Sequence, residues 1–190
     1  MKVTPKLPEN LPVPVDDGAC DHLQGSKLPN LKLVSSSGTV VDLSQRTGLT
    51  VLYIYPRSGD DDHNLPDNWD SIPGARGCSP QSCSFRDHQD DLDELGAKVF
   101  GLATQSPAYL RGEVERLHLP FELLSDDNLE FKKALSLPVL EVEVLGRPVL
   151  KRVTLVCLDD AIIHVFYPVF PPDKSADQVI DWLRSRNTSA

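Results

Sequence analysis

The stretch Thr50-Val-Leu-Tyr-Ile-Tyr55 decides the fold class, because nearly every side chain in it is apolar. A short run of β-branched and aromatic residues is typical of a strand buried on both faces of a parallel or mixed sheet. From Pro56 to Gly77 the chain then turns to Gly, Pro, Asp and Asn, which predicts a long loop. The stretch therefore predicts a central strand that leads through this loop into the rest of the domain.

Outward from this strand, strand and helix patterns alternate along the chain. Upstream, residues 31–34 and 39–43 flank a Gly-containing turn and predict a hairpin. Downstream, the apolar spacing predicts a single helix over 79–95 that ends before Gly96. Further strands are predicted at 97–103, 121–124, 153–158 and 162–167, together with a strand pair at 139–149 around Gly146-Arg147. Further helices are predicted at 107–118, 128–135 and around 176–183. This order predicts an α/β protein with a central sheet flanked by helices.

The composition fits one globular domain and excludes several functions. The chain has 190 residues, 40% hydrophobic and 25% charged, and we expect a proline-rich arm over 1–27 and a single domain over 28–190 with an inserted loop at about 57–77. A formal net charge of −9 disfavours binding to nucleic acid or to anionic membranes. No apolar run approaches the ~20 residues that span a bilayer, and no signal peptide is recognisable. The sequence therefore predicts a cytoplasmic protein.

Two of the four cysteines carry the main functional signal. In the reducing cytoplasm, cysteines are better interpreted as reactive, metal-binding or inert than as structural disulfides. The run Cys78-Ser-Pro-Gln-Ser-Cys83 places two of them where the long loop meets the predicted helix. At a helix N-terminus, the unpaired N–H groups and the positive end of the dipole stabilise an anion, which favours the thiolate of Cys78. Cys78 is therefore the candidate nucleophile.

Helix geometry limits what this pair can do. Two α-helical residues five positions apart have Cα atoms roughly 8.6 Å apart, whereas a disulfide needs about 7 Å or less. A bond between Cys78 and Cys83 therefore requires the first turn of the helix to unwind. A resting structural bridge is disfavoured, and a transient bridge is plausible once Cys78 has been oxidised to a sulfenic acid, which condenses with a nearby thiol.

Several motifs together resemble the peroxiredoxins, and within them the peroxiredoxin Q, or bacterioferritin comigratory protein, group of the AhpC/TSA superfamily. These motifs are Val51-Leu-Tyr-Ile-Tyr-Pro56, Gly77-Cys78-Ser-Pro-Gln-Ser-Cys83-Ser-Phe-Arg-Asp87, Leu95-Gly-Ala-Lys-Val-Phe-Gly-Leu-Ala103, Leu119-Pro-Phe-Glu-Leu-Leu-Ser-Asp126 and Arg152-Val-Thr-Leu. The resemblance covers roughly residues 28–185. The cysteine spacing alone is weak evidence, but its place between a strand ending in Tyr-Pro and a helix carrying Phe-Arg-Asp is specific.

The resemblance implies a thioredoxin-like fold with a central mixed sheet and reduction of hydrogen peroxide and organic hydroperoxides by thiol chemistry. It implies that Cys78 is the peroxidatic cysteine, that Cys83 is the resolving cysteine, and that Arg152 lies beside the peroxidatic sulfur. A guanidinium keeps its proton, so Arg152 would favour the thiolate and hold the peroxide oxygen as charge develops. A thioredoxin-type dithiol would then reduce the disulfide. No cofactor or metal is implied, and a monomer and a homodimer both stay open.

Two positions depart from the family pattern. The family carries a threonine three residues before the peroxidatic cysteine and a proline seven before it, where this chain has Ala75 and Ser71. We expect Pro56 to take the place of the proline in the pocket, with Pro73 as the alternative. Three serines are candidates for the missing hydroxyl group: Ser58, Ser71 and Ser79.

Two other functions compete with this interpretation. A thioredoxin-like thiol-disulfide oxidoreductase would usually carry Cys-x-x-Cys, and the spacing here is two residues longer. A non-catalytic zinc module would join the cysteine pair to Cys20 or to a histidine, yet the sequence lacks a second close pair of ligands. Cys157 lies in an apolar strand and is expected to be inert. The loop residues Asp60–Asp62 and His63 are interpreted as solvated rather than metal-binding.

Overall fold

The computed structural model describes residues 5–59, 65–140, 142 and 145–188. Its strands are β1 (Lys32–Ser35), β2 (Val40–Asp42), β3 (Leu49–Ile54), β4 (Ala97–Ala103), β5 (Leu123–Ser125), β6 (Val139–Leu140), β7 (Val149–Leu150), β8 (Val153–Leu158) and β9 (Ala161–Phe166). Its helices are α1 (Cys78–Asp87), α2 (Gln89–Glu94), α3 (Pro107–Leu117), α4 (Glu130–Ala134) and α5 (Ser175–Thr188). The predicted α/β order is confirmed.

Seven strands form one mixed sheet in the order β2-β1-β5-β4-β3-β8-β9. β3 runs parallel to β4 and antiparallel to β8, so the strand predicted to be central is paired on both sides. β1 and β2 form the predicted N-terminal hairpin, while β6 and β7 form a separate two-stranded ribbon. β3 and β4 end side by side, and from this end of the sheet the chain continues toward Cys78.

The side chains of β3 alternate between two cores on opposite faces of the sheet. Val51, Tyr53 and Tyr55 belong to the core that also holds the apolar residues of α1, α3 and α5. Leu52 and Ile54 belong to a second core, which holds residues of the arm and of α4. All five are at most 1% exposed, and full burial of an aliphatic side chain stabilises by about 1.5–3 kcal/mol. The helix that carries the cysteine pair therefore packs against the fully buried side chains of the central strand.

The prediction of a single helix over 79–95 is wrong. α1 ends at Asp87 and α2 begins at Gln89, because His88 leaves helical geometry with φ −107° and ψ 17°. The N–H of His88 donates to the carbonyl of Ser84 at 3.2 Å, and its ring Nδ1 lies 2.9 Å from the same oxygen. Phe85 and Leu92 still enter the same core across the break. The apolar spacing therefore marks the buried face correctly and conceals the interruption.

The long loop between β3 and α1 carries more structure than its composition predicts. Residues Trp69–Ser71 form a 3-10 turn, and Trp69 is buried with Ala75 against Val142 and Val149 of the segment that contains the β6–β7 ribbon. The acidic cluster at residues 60–62 with the neighbouring histidine lies outside the described residues. The boundaries given above for the arm and for the inserted loop stay predictions.

The arm covers the second core. Cys20 and Leu23 are buried in that core. Asp17 accepts hydrogen bonds from Lys151 Nζ at 2.7 Å and from Tyr167 Oη at 2.6 Å, and these bonds, with that to Lys151 the larger cause, hold the pKa of Asp17 well below its ordinary value. Within the described ranges, no helix is long and apolar enough to cross a membrane.

Candidate active site

Cys78 is the first residue of α1, one residue before the predicted start of the helix, and Gly77 sets its position. Gly77 caps the helix with φ +110°, a left-handed conformation that favours glycine, and it offers no side chain to cap the first turn. A Cβ atom on Gly77 would lie 2.3 Å from Pro172 Cγ and 2.9 Å from Leu7 Cδ1. Backbone conformation and close packing therefore both require glycine immediately before Cys78.

We expect Gly77→Ala to lower the free energy of unfolding by more than the roughly 1–2 kcal/mol that a left-handed backbone alone costs, because the new methyl group also meets Pro172. Gly38→Ala is the matched control, since Gly38 has φ +86° and open space around its Cβ position. Urea unfolding of both variants measures the difference. Equal losses in the two variants would contradict the role given to the packing at Gly77.

Arg152 lies beside the sulfur of Cys78, as the resemblance implies. Its Nη2 donates to Cys78 Sγ at 3.3 Å, and both residues are nearly fully buried. Arg152 follows β7 and precedes β8, so the sheet holds its backbone. A buried guanidinium in direct contact with a thiol stabilises the thiolate, because the interaction between opposite charges is strengthened away from water.

The guanidinium is oriented by the loop before α1 and by α1 itself. Nη2 also donates to the carbonyl oxygens of Ala75 and Arg76 at 3.1 and 3.2 Å. Nη1 donates to Gln81 Oε1 at 2.5 Å, and Gln81 Nε2 donates in turn to Ser175 Oγ at 3.1 Å. The sequence analysis missed Gln81, although its position one helical turn after Cys78 places it on the same face of the helix.

Cys83 lies inside the apolar core rather than at the surface. It is fully buried among core residues that include Tyr53 and Phe85, and burial raises the pKa of its thiol. Both cysteines of the pair are free and both belong to α1 while that helix is intact. The two thiols therefore differ in their surroundings, since Cys78 contacts Arg152 at the start of α1 and Cys83 lies among core side chains.

The other two cysteines are placed as inert thiols. Cys157 is fully buried in β8, and Cys20 of the arm is buried in the second core. Burial raises the pKa of each thiol to about 12, so neither carries appreciable thiolate at neutral pH. Within the described part of the chain, no group of three His, Cys, Asp or Glu side chains is arranged to hold a metal ion.

A cavity of about 190 Å³ opens beside Cys78. Four cationic residues contribute to its walls: Lys6 of the arm, Arg57, Arg76 and Arg116. Although the whole chain is acidic, this opening therefore offers positive charge to a thiolate. Among the described lining residues of this cavity, neither Pro56 nor Pro73 occurs. Pro56 is buried just after β3, and Pro73 borders a separate cavity on the other side of the loop.

Of the three candidate serines, Ser58 and Ser79 line the cavity at Cys78, whereas Ser71 is exposed on the 3-10 turn. Ser58 is held by α3 through Glu113, whose carboxyl group contacts both Ser58 Oγ and Tyr55 Oη. The sequence analysis missed Glu113. A signal was available, because Glu113 falls between Leu110 and Leu117 on the buried face of the helix.

Comparisons with known proteins agree with this arrangement. The redoxin family profile matches residues 23–180. The chain is 27% identical to a chloroplastic peroxiredoxin Q of Populus jackii over 85% of this chain and 68% of that protein, and 27% identical to a peroxiredoxin bcp relative of Haemophilus influenzae over 85% of this chain and 96% of that one. The fold matches peroxidoxin BcpB of Mycobacterium tuberculosis with a TM-score of 0.68 at 24% identity, over 85% of this chain and 96% of that chain.

The chain belongs to the redoxin family, and its mixed sheet with flanking helices is the thioredoxin-type fold of that family. Within the family it is a peroxiredoxin of the peroxiredoxin Q and bacterioferritin comigratory protein group. Its activity is that of a thiol-dependent peroxidase, as the resemblance in the sequence implies.

Proposed function

We propose that Cys78 is the peroxidatic cysteine and that it reduces hydrogen peroxide and organic hydroperoxides. The observation that carries this assignment is the 3.3 Å contact from Arg152 Nη2 to Cys78 Sγ, at a helix N-terminus that borders an open cavity. The thiolate attacks one peroxide oxygen, the O–O bond breaks, and the sulfur becomes a sulfenic acid. Arg152 would hold the oxygen on which negative charge develops.

We also propose that Cys83 resolves the sulfenic acid. Its thiol condenses with the oxidised sulfur of Cys78, water leaves, and a disulfide forms within the chain. Helical separation of the two residues exceeds disulfide reach, so α1 must lose at least the turn between them. This opening brings the disulfide out of the core, where a thioredoxin-type dithiol can reduce it. The free state of all four cysteines suits a cytoplasmic enzyme, either monomer or homodimer.

Stopped-flow mixing of the reduced protein with hydrogen peroxide and with an organic hydroperoxide tests the assignment. We expect a rapid second-order reaction that consumes one peroxide per chain and leaves Cys20 and Cys157 unmodified by mass spectrometry. Slow reaction at all four cysteines alike would contradict it, because an ordinary thiol lacks the thiolate character that the site provides.

Disulfide formation should loosen α1 and spare the sheet. We expect faster amide hydrogen exchange over about residues 77–86 in the oxidised protein than in the reduced one, while β3 stays protected. The remainder of the helical face stays anchored, because Phe85 and Leu92 are fully buried. Equal protection in both states, with a Cys78–Cys83 bond confirmed, would show that the helix does not need to unwind.

A further inference from the structure

When a thiolate reduces a peroxide, the oxygen that leaves needs a proton from another group. The attack expels an alkoxide or a hydroxide, which is a poor leaving group unless a proton reaches it. Cys78 attacks without a proton, and the guanidinium of Arg152 keeps its own. A positioned acid near the cavity therefore accelerates the step. Among the described lining residues, the hydroxyl groups at this cavity belong to Ser58 and Ser79.

Ser58 is held rigidly, whereas Ser79 is half-buried. The N–H of Ser58 donates to Gln105 Oε1 at 3.0 Å. Its carbonyl oxygen accepts from Gln105 Nε2 at 3.1 Å and from Tyr109 Oη at 3.0 Å. The residue is 1% exposed. These bonds fix the backbone of Ser58 at the cavity wall, and its Oγ lies against Glu113 Oε2 and 3.4 Å from Gln105 Oε1.

Behind Ser58 lies a buried carboxyl group. Glu113 Oε2 is within hydrogen-bond distance of both Ser58 Oγ and Tyr55 Oη, and among the described residues Oε1 has no partner. A buried carboxylate with one unpaired oxygen is costly, and the neutral acid avoids that cost. Burial accordingly raises the pKa of Glu113. The nearby charged group is Arg116 on the same helix, which acts in the opposite direction and more weakly.

We propose that Ser58 is the proton donor to the leaving oxygen of the peroxide and that Glu113, as a neutral acid, supplies and orients its proton. In the structure, Ser58 Oγ donates to Glu113 Oε2. When Glu113 is protonated, its carboxyl hydrogen takes over this bond, and the Ser58 hydroxyl group is released to donate to a peroxide in the cavity. This inference rests on Cys78 as the peroxidatic cysteine.

The proposed reaction consumes one peroxide and one proton of Glu113 for each Cys78 that is oxidised. Cys78 sulfur forms a bond to the peroxide oxygen that carries hydrogen, the O–O bond breaks, and the sulfur is oxidised by two electrons to a sulfenic acid. The expelled oxygen takes the proton of Ser58, Ser58 takes the proton of Glu113, and an alcohol or water leaves. Glu113 is left as a carboxylate and recovers a proton from solvent.

The dependence on the leaving group is the sharpest test. We expect Ser58→Ala to lower the second-order rate constant with hydrogen peroxide about 10²-fold. With peracetic acid the loss should shrink several-fold, because acetate leaves without needing a proton. An equal loss with both oxidants would overturn the proposal, since a hydroxyl group that only shapes the cavity would affect both alike.

Four measurements separate this outcome from misfolding, from a donor at Ser79 and from failure of the peroxidatic assignment. Alkylation of Cys78 by iodoacetamide expels iodide, so Ser58→Ala should alkylate as fast as the wild type. Ser71→Ala, on the exposed 3-10 turn, should react with peroxide at the wild-type rate. A loss in Ser79→Ala as large as that expected for Ser58→Ala would move the donor to Ser79. A wild-type protein that fails to oxidise at Cys78 would instead refute the proposed function itself.

The pH profile tests Glu113. Because its pKa is raised, the acid form persists to higher pH than in an ordinary carboxyl group, and its contribution is lost as the pH rises through that pKa. We expect Glu113→Gln to lower the peroxide rate and to remove this decline, as an amide does not titrate. An unchanged profile in Glu113→Gln would overturn the positioning role.

Discussion

Cys78→Ser should abolish rapid peroxide consumption, whereas Cys83→Ser should oxidise once at the wild-type rate and then stop. The reason is the asymmetry between the two thiols. Cys78 borders the cavity and contacts Arg152, while Cys83 is sealed in the core, where burial raises the pKa of its thiol. In multiple turnover with a dithiol reductant, both variants should lose nearly all steady-state activity. Stopped-flow kinetics followed by trapping of the sulfenic acid distinguishes loss of the first oxidation in Cys78→Ser from loss of the later step in Cys83→Ser.

Cys157→Ala is the matched control, because Cys157 is as buried as Cys83 and lies in β8, away from the cavity. It should keep both the first oxidation and full turnover. Loss of the initial reaction in Cys83→Ser alone would reverse the two roles. Loss of turnover in Cys20→Ala would move the resolving role to the arm.

Arg152→Ala should slow the reaction with peroxide about 10²–10³-fold, the range found when one donor to a developing negative charge is removed. The contact with Cys78 Sγ is lost, and so alkylation of Cys78 by iodoacetamide should also slow. Arg152→Lys should recover part of the rate of reaction with peroxide. A single ammonium group replaces a planar guanidinium group that also donates to Gln81 and to the loop carbonyl oxygens.

A surface arginine supplies the control for Arg152. Arg147 donates to the exposed carbonyl of Asp127 and lies outside the cavity lining. Arg147→Ala should keep the wild-type rates of reaction with peroxide and of alkylation. An Arg152→Ala protein that unfolds at the wild-type denaturant concentration and reacts with peroxide at the wild-type rate would remove Arg152 from the mechanism.

Elements with a strong local pattern were predictable from the sequence. The central strand β3 follows from one continuous apolar run, and the start of α1 follows, to within one residue, from the change of composition after the loop. The break at His88 was not predictable, because the apolar spacing continues across it and a single side chain bonded to Ser84 makes the difference.

The position of the cysteine pair at the start of the helix was also predictable, while the polar residues around it were not. Arg152 was found through family resemblance alone, since an arginine beside a strand carries no local signal for its partner. Ser58 could be given only as one of three serines. Its selection depends on Gln105 and Glu113, which lie far along the chain and meet it only when α3 packs against the sheet.

Reaction of the fully reduced protein with one equivalent of hydrogen peroxide, followed by alkylation and peptide mapping, tests the central claim most directly. We expect one disulfide within a single chain, between Cys78 and Cys83, with Cys20 and Cys157 recovered as alkylated thiols. A bond from Cys78 to Cys20, a bond between two chains, or oxidation that leaves Cys78 untouched would contradict the mechanism.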